Sequence, residues 1–232
     1  MKKKMSGIDD LYERAAKCHK RKNCYSTHWG RNMQIFVPRP DDKFNKKNPK
    51  VLFIMSRPGP ATIQSGRICM DNEDETAKLF KKCLEKSGLK RSQIFSTNAC
   101  LCLPFCSVLT NAIPTDDQIR KCAKLWLKQQ IDVLKPKLIV SLGKVALEAL
   151  RHIYTKSGEL KKFELKNNIG TVIEKSENTP IPIYPLYHTS KNAQKSRKPP
   201  KQKKDWKKIR EILDGKYKSP KIANKKISEN LR

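Results

Sequence analysis

Short apolar runs alternate along this chain with stretches whose apolar residues recur at helical spacing, and that change of period sets the fold class. Val51 to Met55 (VLFIM), Ser92 to Thr97 (SQIFST), Lys137 to Leu142 (KLIVSL) and Ile181 to Leu186 read as strands. Between and after them, Asp74 to Lys86, Asp116 to Leu134, Lys144 to His152 and Asp205 to Leu213 read as amphipathic helices. Asp74 to Lys86 gathers Ala77, Leu79, Phe80, Cys83 and Leu84 near one face and stops at Gly88; Thr115 or Asp116 caps the next helix. Strands joined through helices run parallel, so the pattern predicts an α/β fold. No internal repeat interrupts it, and the polar end from Gly215 to Arg232 is expected to fray.

The charge balance narrows the partner. Lys and Arg number 51 against 22 acidic residues, a net +29 on 232 residues, which self-repels unless a polyanion such as nucleic acid is bound. No run of about 18 apolar residues is present, and the start, MKKKMSGIDD, lacks the apolar segment of a secretory signal. The expectation is therefore a soluble cytoplasmic protein that makes no membrane contact. Its eight cysteines would sit in a reducing compartment, which leaves a metal or cluster site, or scattered thiols, rather than a disulfide framework.

In an open parallel sheet, ligands collect beyond the carboxyl ends of the strands. The residues at those ends are Ser56-Arg57-Pro58-Gly59-Pro60, Asn98-Ala99-Cys100, Gly143-Lys144 and His188-Thr189-Ser190. A Pro/Gly turn lets backbone approach a bound group, an Asn amide can read the polar edge of a base, and a His can stabilise developing negative charge.

Over roughly residues 50 to 213 the chain resembles the uracil-DNA glycosylase superfamily, and within it the iron–sulfur branch called family 4. The resemblance is carried by VLFIMSRPGP (51–60), SGR (65–67), SGLKRSQIFSTNACLC (87–102), IDVLKPKLIVSLGKVALEAL (131–150), YPLYHTS (184–190) and DWKKI (205–209). It implies a three-layer α/β/α sandwich around a four-stranded, mainly parallel sheet. It also implies a monofunctional DNA glycosylase that flips a nucleotide out of double- or single-stranded DNA and hydrolyses its N-glycosidic bond, leaving an abasic site. By resemblance, His188 would donate to the leaving base and Asn98 would read the flipped pyrimidine, with Arg57, Pro58 and Gly59 lining the pocket.

Two departures bear on the target. Met55-Ser56-Arg57-Pro58-Gly59 stands where the family carries Gly-Glu-Ala-Pro-Gly or a relative with Asn or Asp, so the water-activating group is missing there. Asp71, Glu73, Asp74 and Glu75 follow downstream, and Asp71 is the expected replacement, although an acidic first helical turn also suits the helix dipole. Cys69 stands where the family has a Phe that stacks on uracil, which widens the pocket. Together these suggest a modified or damaged pyrimidine, including hydroxymethylated or glucosylated bases of phage DNA, with a role in defence. Uracil excision in base-excision repair and noncatalytic recognition of a modified base are the alternatives.

The resemblance further implies a [4Fe–4S] cluster on Cys18, Cys24, Cys102 and Cys122, matched by order. Five residues separate the first pair and nineteen the second, both unlike the family pattern; Cys100 and Cys106 are spare ligands, while Cys69 and Cys83 suit pocket or core. Residues 191–210 hold ten Lys and Arg against one acidic residue, where the family loop enters the DNA groove. Ser190, Lys191, Lys195, Arg197, Lys198 and Lys144 are the expected phosphate contacts, with Pro199-Pro200 also consistent with a basic linker. The expected organisation is an N-terminal arm (1–48), a glycosylase-like domain (49–213) and a basic tail (214–232), acting as a monomer.

Overall fold

The computed structural model describes residues 7–18, 35–37, 40, 42–59, 61–62, 66, 72–104 and 113–222. Four strands form one sheet: β1 (Val51–Met55), β2 (Ile94–Asn98), β3 (Leu138–Leu142) and β4 (Ile183–Leu186). Their spatial order is β2-β1-β3-β4, and every neighbouring pair is parallel. All of β2, β3 and β4 and most of β1 are buried, as runs covered on both faces must be. A two-residue antiparallel pair, Ile35–Phe36 with Leu103–Pro104, lies apart from this sheet.

The helices are α1 (Ile8–Ala16), α2 (Glu75–Ser87), α3 (Asp116–Cys122), α4 (Lys128–Leu134), α5 (Lys144–Ile153), α6 (Gly158–Lys162), α7 (Lys191–Ser196) and α8 (Pro199–Leu213). One face of the sheet is covered by α2 and α8: Phe53 of β1 meets Phe80 of α2 edge-on at 5.3 Å and stacks on Trp206 of α8 at 4.7 Å. On the other face, Tyr12 of α1 and Gln130 of α4 converge on Thr97 of β2 through buried hydrogen bonds of 2.8 and 2.7 Å. The expected three layers are therefore present.

Several boundaries differ from the expectation, each for a local reason. The helix expected from Asp205 begins at Pro199, because prolines in the first turn lack only N–H groups that would have no helical partner. The Pro199-Pro200 pair thus opens a helix and is not a linker. The second strand starts at Ile94, after a 3₁₀ turn Arg91–Gln93, and runs to Asn98 itself. The long helix expected over 116–134 is continuous but widens into a π turn at Ala123–Leu127, directly after Cys122. The fourth strand begins at Ile183, after Pro182.

Two segments expected outside the core are built into it. Ile8, Leu11, Tyr12 and Ala15 of α1 are buried in the same cluster as the sheet. Past Gly215, where fraying was expected, the Tyr217 ring packs against Tyr184 and its hydroxyl donates to the Gly170 carbonyl, while Val172 N–H donates to Ser219 Oγ at 2.8 Å. The chain is thus anchored as far as Ile222, which also packs on the core. No helix among the described residues is long and apolar enough to cross a membrane.

Candidate active site at the carboxyl edge of the sheet

All four strands being parallel, their carboxyl ends share one edge. In the order β2-β1-β3-β4 the chain passes from β1 to β2 on one side and then crosses to β3 and β4 on the other, so the crevice of such a sheet opens between the ends of β1 and β3. Met55 lies in register with Asn98, and the ladder runs past the strands: Ala99 N–H donates to Met55 O at 2.8 Å and Cys100 N–H to Ser56 O at 3.0 Å. These bonds tie the turn after β1 to the turn after β2. In the first turn Pro58 is buried while Ser56, Arg57 and Gly59 keep partial exposure, so this Pro/Gly loop lies at the carboxyl end of β1.

Asn98 is 2 % exposed, and among the described residues none hydrogen-bonds to its side-chain amide. Its neighbour Thr97 holds the strand end in place through Tyr12 and Gln130, with burial pushing the Tyr12 hydroxyl pKa up and keeping it protonated. With no partner among the described residues, the amide keeps its donor and its acceptor available to a bound group. A pyrimidine edge is such a group.

His188 follows β4 at the same edge. Its Nδ1 accepts the Ser190 N–H at 3.0 Å, which places the proton of the neutral ring on Nε2 and leaves that N–H to donate elsewhere. Burial drives its pKa down to about 4, partly opposed by the Asp74 carboxylate, so the ring is neutral near pH 7. The approach of the β3 turn is close: a Cβ on Gly143, whose φ is +88°, would lie 3.2 Å from His188 Cβ. Glycine meets both demands, a left-handed backbone and room for the imidazole. Gly143 N–H also donates to Leu186 O at 2.8 Å, joining the β3 turn to the end of β4.

Three thiols converge beside this edge. The Cys122 thiol hydrogen-bonds to those of Cys100 and Cys102 and to the Leu101 backbone, and these bonds pull its pKa down to about 4 against the effect of burial. A cysteine held as thiolate is the form that binds iron, and an all-sulfur donor set suits an iron–sulfur cluster. Of the four cysteines matched by order, Cys102 and Cys122 lie together, and Cys100, the spare, joins them. Cys18 lies just beyond α1 and packs against the core. Cys83 is fully buried in α2 and its thiol is pushed up to about 12 by burial, so it is a core residue. Cys24, Cys69, Cys106 and the expected catalytic Asp71 lie outside the described residues.

The basic segment is helical and directional. Ser190 precedes α7, Lys191 and Lys195 on α7 and Lys198 before α8 are exposed, and Lys144 is exposed as the first residue of α5. Arg197 differs: its guanidinium makes a two-pronged pair with Asp205 at 2.9 and 2.7 Å, and Asp205 is 3 % exposed. Its first partner is therefore the fold, where it ties the α7–α8 junction, and not solvent. Sequence reasoning missed this because a buried acid at helical spacing looks like any other exposed one.

A surface cluster not anticipated from sequence, Asp116, Glu148 and His152, brackets the start of α3 and the end of α5, with His152 Nε2 2.9 Å from Asp116 Oδ1. Glu148 is also paired with Arg151 at 2.7 Å, which accounts for it as an ion pair of the α5 surface.

Comparison with known proteins adds to this geometry. The family model of the uracil DNA glycosylase superfamily matches residues 42–213. The chain is 29 % identical over 164 residues to a type-4 uracil-DNA glycosylase of Sulfurisphaera tokodaii, covering 70 % of each chain. It is 23 % identical over 209 residues to a type-4 uracil-DNA glycosylase of Archaeoglobus fulgidus, covering 90 % of this chain and 94 % of that one. A third relative, the type-4 uracil-DNA glycosylase of Pyrobaculum aerophilum, is 28 % identical over 109 residues, 47 % of this chain and 52 % of its own. With a four-stranded parallel sheet whose carboxyl edge carries Asn98, Gly143 and His188, and a family model that matches residues 42–213, most of the chain, this protein belongs to the uracil-DNA glycosylase superfamily.

Proposed function

We propose that the protein is a DNA glycosylase that takes an extrahelical pyrimidine into the crevice at the carboxyl edge and hydrolyses its N-glycosidic bond, leaving an abasic site. The observation that carries this reading is that the carboxyl edge holds both an Asn98 amide with no hydrogen-bond partner among the described residues and a His188 ring whose Nε2–H is open to donate. As the bond breaks, negative charge builds on the base and positive charge on the sugar. Asn98 would hold the base by its pairing edge, and neutral His188 would donate to the base oxygen on which charge develops. A neutral donor suits this better than a charged one, because it gives up no proton that the pocket must then recover.

Uracil is the first substrate to test, since the relatives are named for it. The wider reading, a hydroxymethylated or glucosylated pyrimidine, rests on Cys69 and on Ser56-Arg57-Pro58 standing where the family carries a stacking ring and an acid or amide. Incubation with duplex and single-stranded DNA carrying uracil, hydroxymethyluracil, hydroxymethylcytosine or its glucosylated form, scored for alkali-labile sites, decides among them. Excision of uracil makes this a repair-type enzyme. Excision of a hypermodified base alone makes it an enzyme acting on modified genomes, and no abasic sites with retained DNA binding overturns the glycosylase reading.

Cys18, Cys24, Cys102 and Cys122 are the four residues that would hold a [4Fe–4S] cluster, with Cys100 the alternative ligand beside Cys122, and the cluster's contribution here would be structural. It would fasten the end of α1 and the turn after β2 to α3.

Lys144, Lys191, Lys195 and Lys198 would bind phosphates, giving affinity without sequence choice. Changing Lys191, Lys195 and Lys198 together to Gln is expected to weaken binding to every duplex alike. The slope of log K against log salt should become shallower by about 0.9 for each phosphate that is no longer neutralised. Anisotropy titrations at several salt concentrations check this, and an unchanged slope removes these lysines from the interface.

A further inference from the structure

The turn after β1 lacks the acid or amide that would activate water, yet the carboxyl edge does hold a carboxylate. Asp74 caps α2, its Oδ1 accepting Ala77 N–H at 2.8 Å. Because β1 and β2 are parallel, α2 must start at the carboxyl edge and run back along the sheet, which sets its cap beside the strand ends. The segment leading into it is fastened to the first turn: Asn72, buried, donates to Thr62 Oγ1 at 3.4 Å. Across the crevice, the His188 turn leads through α7 into α8, the helix packed against α2.

Asp74 is set apart from its acidic neighbours. Its field is the charge effect that acts on the His188 ring, whereas Glu75 is turned to Lys78 at 3.5 Å. No Lys or Arg among the described residues forms an ion pair with Asp74, and it is exposed. The capping bond uses one of about four lone-pair directions of the carboxylate, so the other oxygen is open to a water.

We propose that Asp74 is the catalytic carboxylate of this enzyme, replacing the acid or amide absent from the first turn. This rests on the glycosylase reading above. With a flipped nucleotide between Asp74 and His188, the carboxylate faces the sugar and the imidazole faces the base. The C1′–N1 bond breaks and its electron pair leaves on the base, held by the His188 Nε2–H. Water oxygen bonds to C1′ and its proton passes to Asp74, and the base anion later takes a proton from solvent. Asp74 also stabilises the positive charge that builds on the sugar before water adds.

The N-cap position gives a clean test, because Asn and Ser cap helices about as well as Asp. Asp74→Asn removes the negative charge and keeps the fold; Asp74→Ser is the second cap-competent variant, should the first fail to fold. Single-turnover base release is measured on whichever duplex the wild type cleaves, and affinity on a duplex carrying a tetrahydrofuran abasic analogue. The expected result is a rate at least about 100-fold below wild type, with affinity within about threefold. A rate within about threefold of wild type overturns the proposal, and so does a loss of affinity that accounts for the whole loss of rate. If the wild type itself releases no base, the glycosylase reading falls, an outcome distinct from an active wild type with equally active variants.

Discussion

Replacing His188 by alanine is expected to lower the rate of base release by about 10²- to 10³-fold, the usual cost of removing one donor aimed at developing negative charge. Binding to an abasic-analogue duplex should change little, because Nε2–H acts on charge that exists only as the bond breaks. His188→Gln keeps an N–H donor and should recover part of the rate. The pH dependence has a definite sign. The folded-state pKa is lowered to about 4 from about 6.5, so the working neutral ring persists through mildly acidic solution, and any acid limb due to His188 lies near pH 4. Stability runs the same way: between about pH 6.5 and 4 the unfolded chain takes up a proton that the folded ring refuses, so stability falls as pH falls through that window. The alanine variant should lose this slope. An acid limb near pH 6.5 that vanishes in His188→Ala would contradict the partly buried, neutral imidazole.

The same residues show what sequence pattern carries. His188 and Asn98 were readable because each ends an apolar run, and strand ends of a parallel sheet share one edge whatever the packing details. Asp74 was one acid among several, since all of them suit a helix start; only the fold shows that its charge acts on the His188 ring. Cys100 lies two residues from Cys102, and sequence spacing alone does not say whether a turn brings both to one place. The chain bends after β2, so both reach Cys122. Arg197 reads as one more phosphate contact among lysines, and the Pro199-Pro200 pair suits a linker by composition, yet the buried Asp205 and the first-turn tolerance for proline turn the segment into a helix junction. Tail residues such as Tyr217 escaped notice because a single aromatic among lysines has no period to announce burial.

Trp206→Ala is expected to cost about 3–5 kcal/mol, the range for emptying a core site of its largest side chain. Trp206 is fully buried, stacked on Phe53 at 4.7 Å and edge-on to Phe80 at 5.0 Å, so its ring is the joint between α8, the sheet and α2. For a chain of this size that loss lowers the melting temperature by roughly 10 °C. The effect should reach function as well, because α8 begins one residue after Lys198 and carries the Asp205 that grips Arg197, so a loosened helix releases the basic segment behind His188. Trp206→Phe separates packing from polarity. It keeps an aromatic ring against Phe53 and removes Nε1, a buried donor with no hydrogen-bond partner among the described residues, so the lost area is offset by a lost desolvation penalty. The Phe variant should therefore melt close to wild type while the Ala variant does not. Equal destabilisation of both would mean that Nε1 has a partner, such as a bridging water, and that the indole N–H helps hold α8 to the sheet.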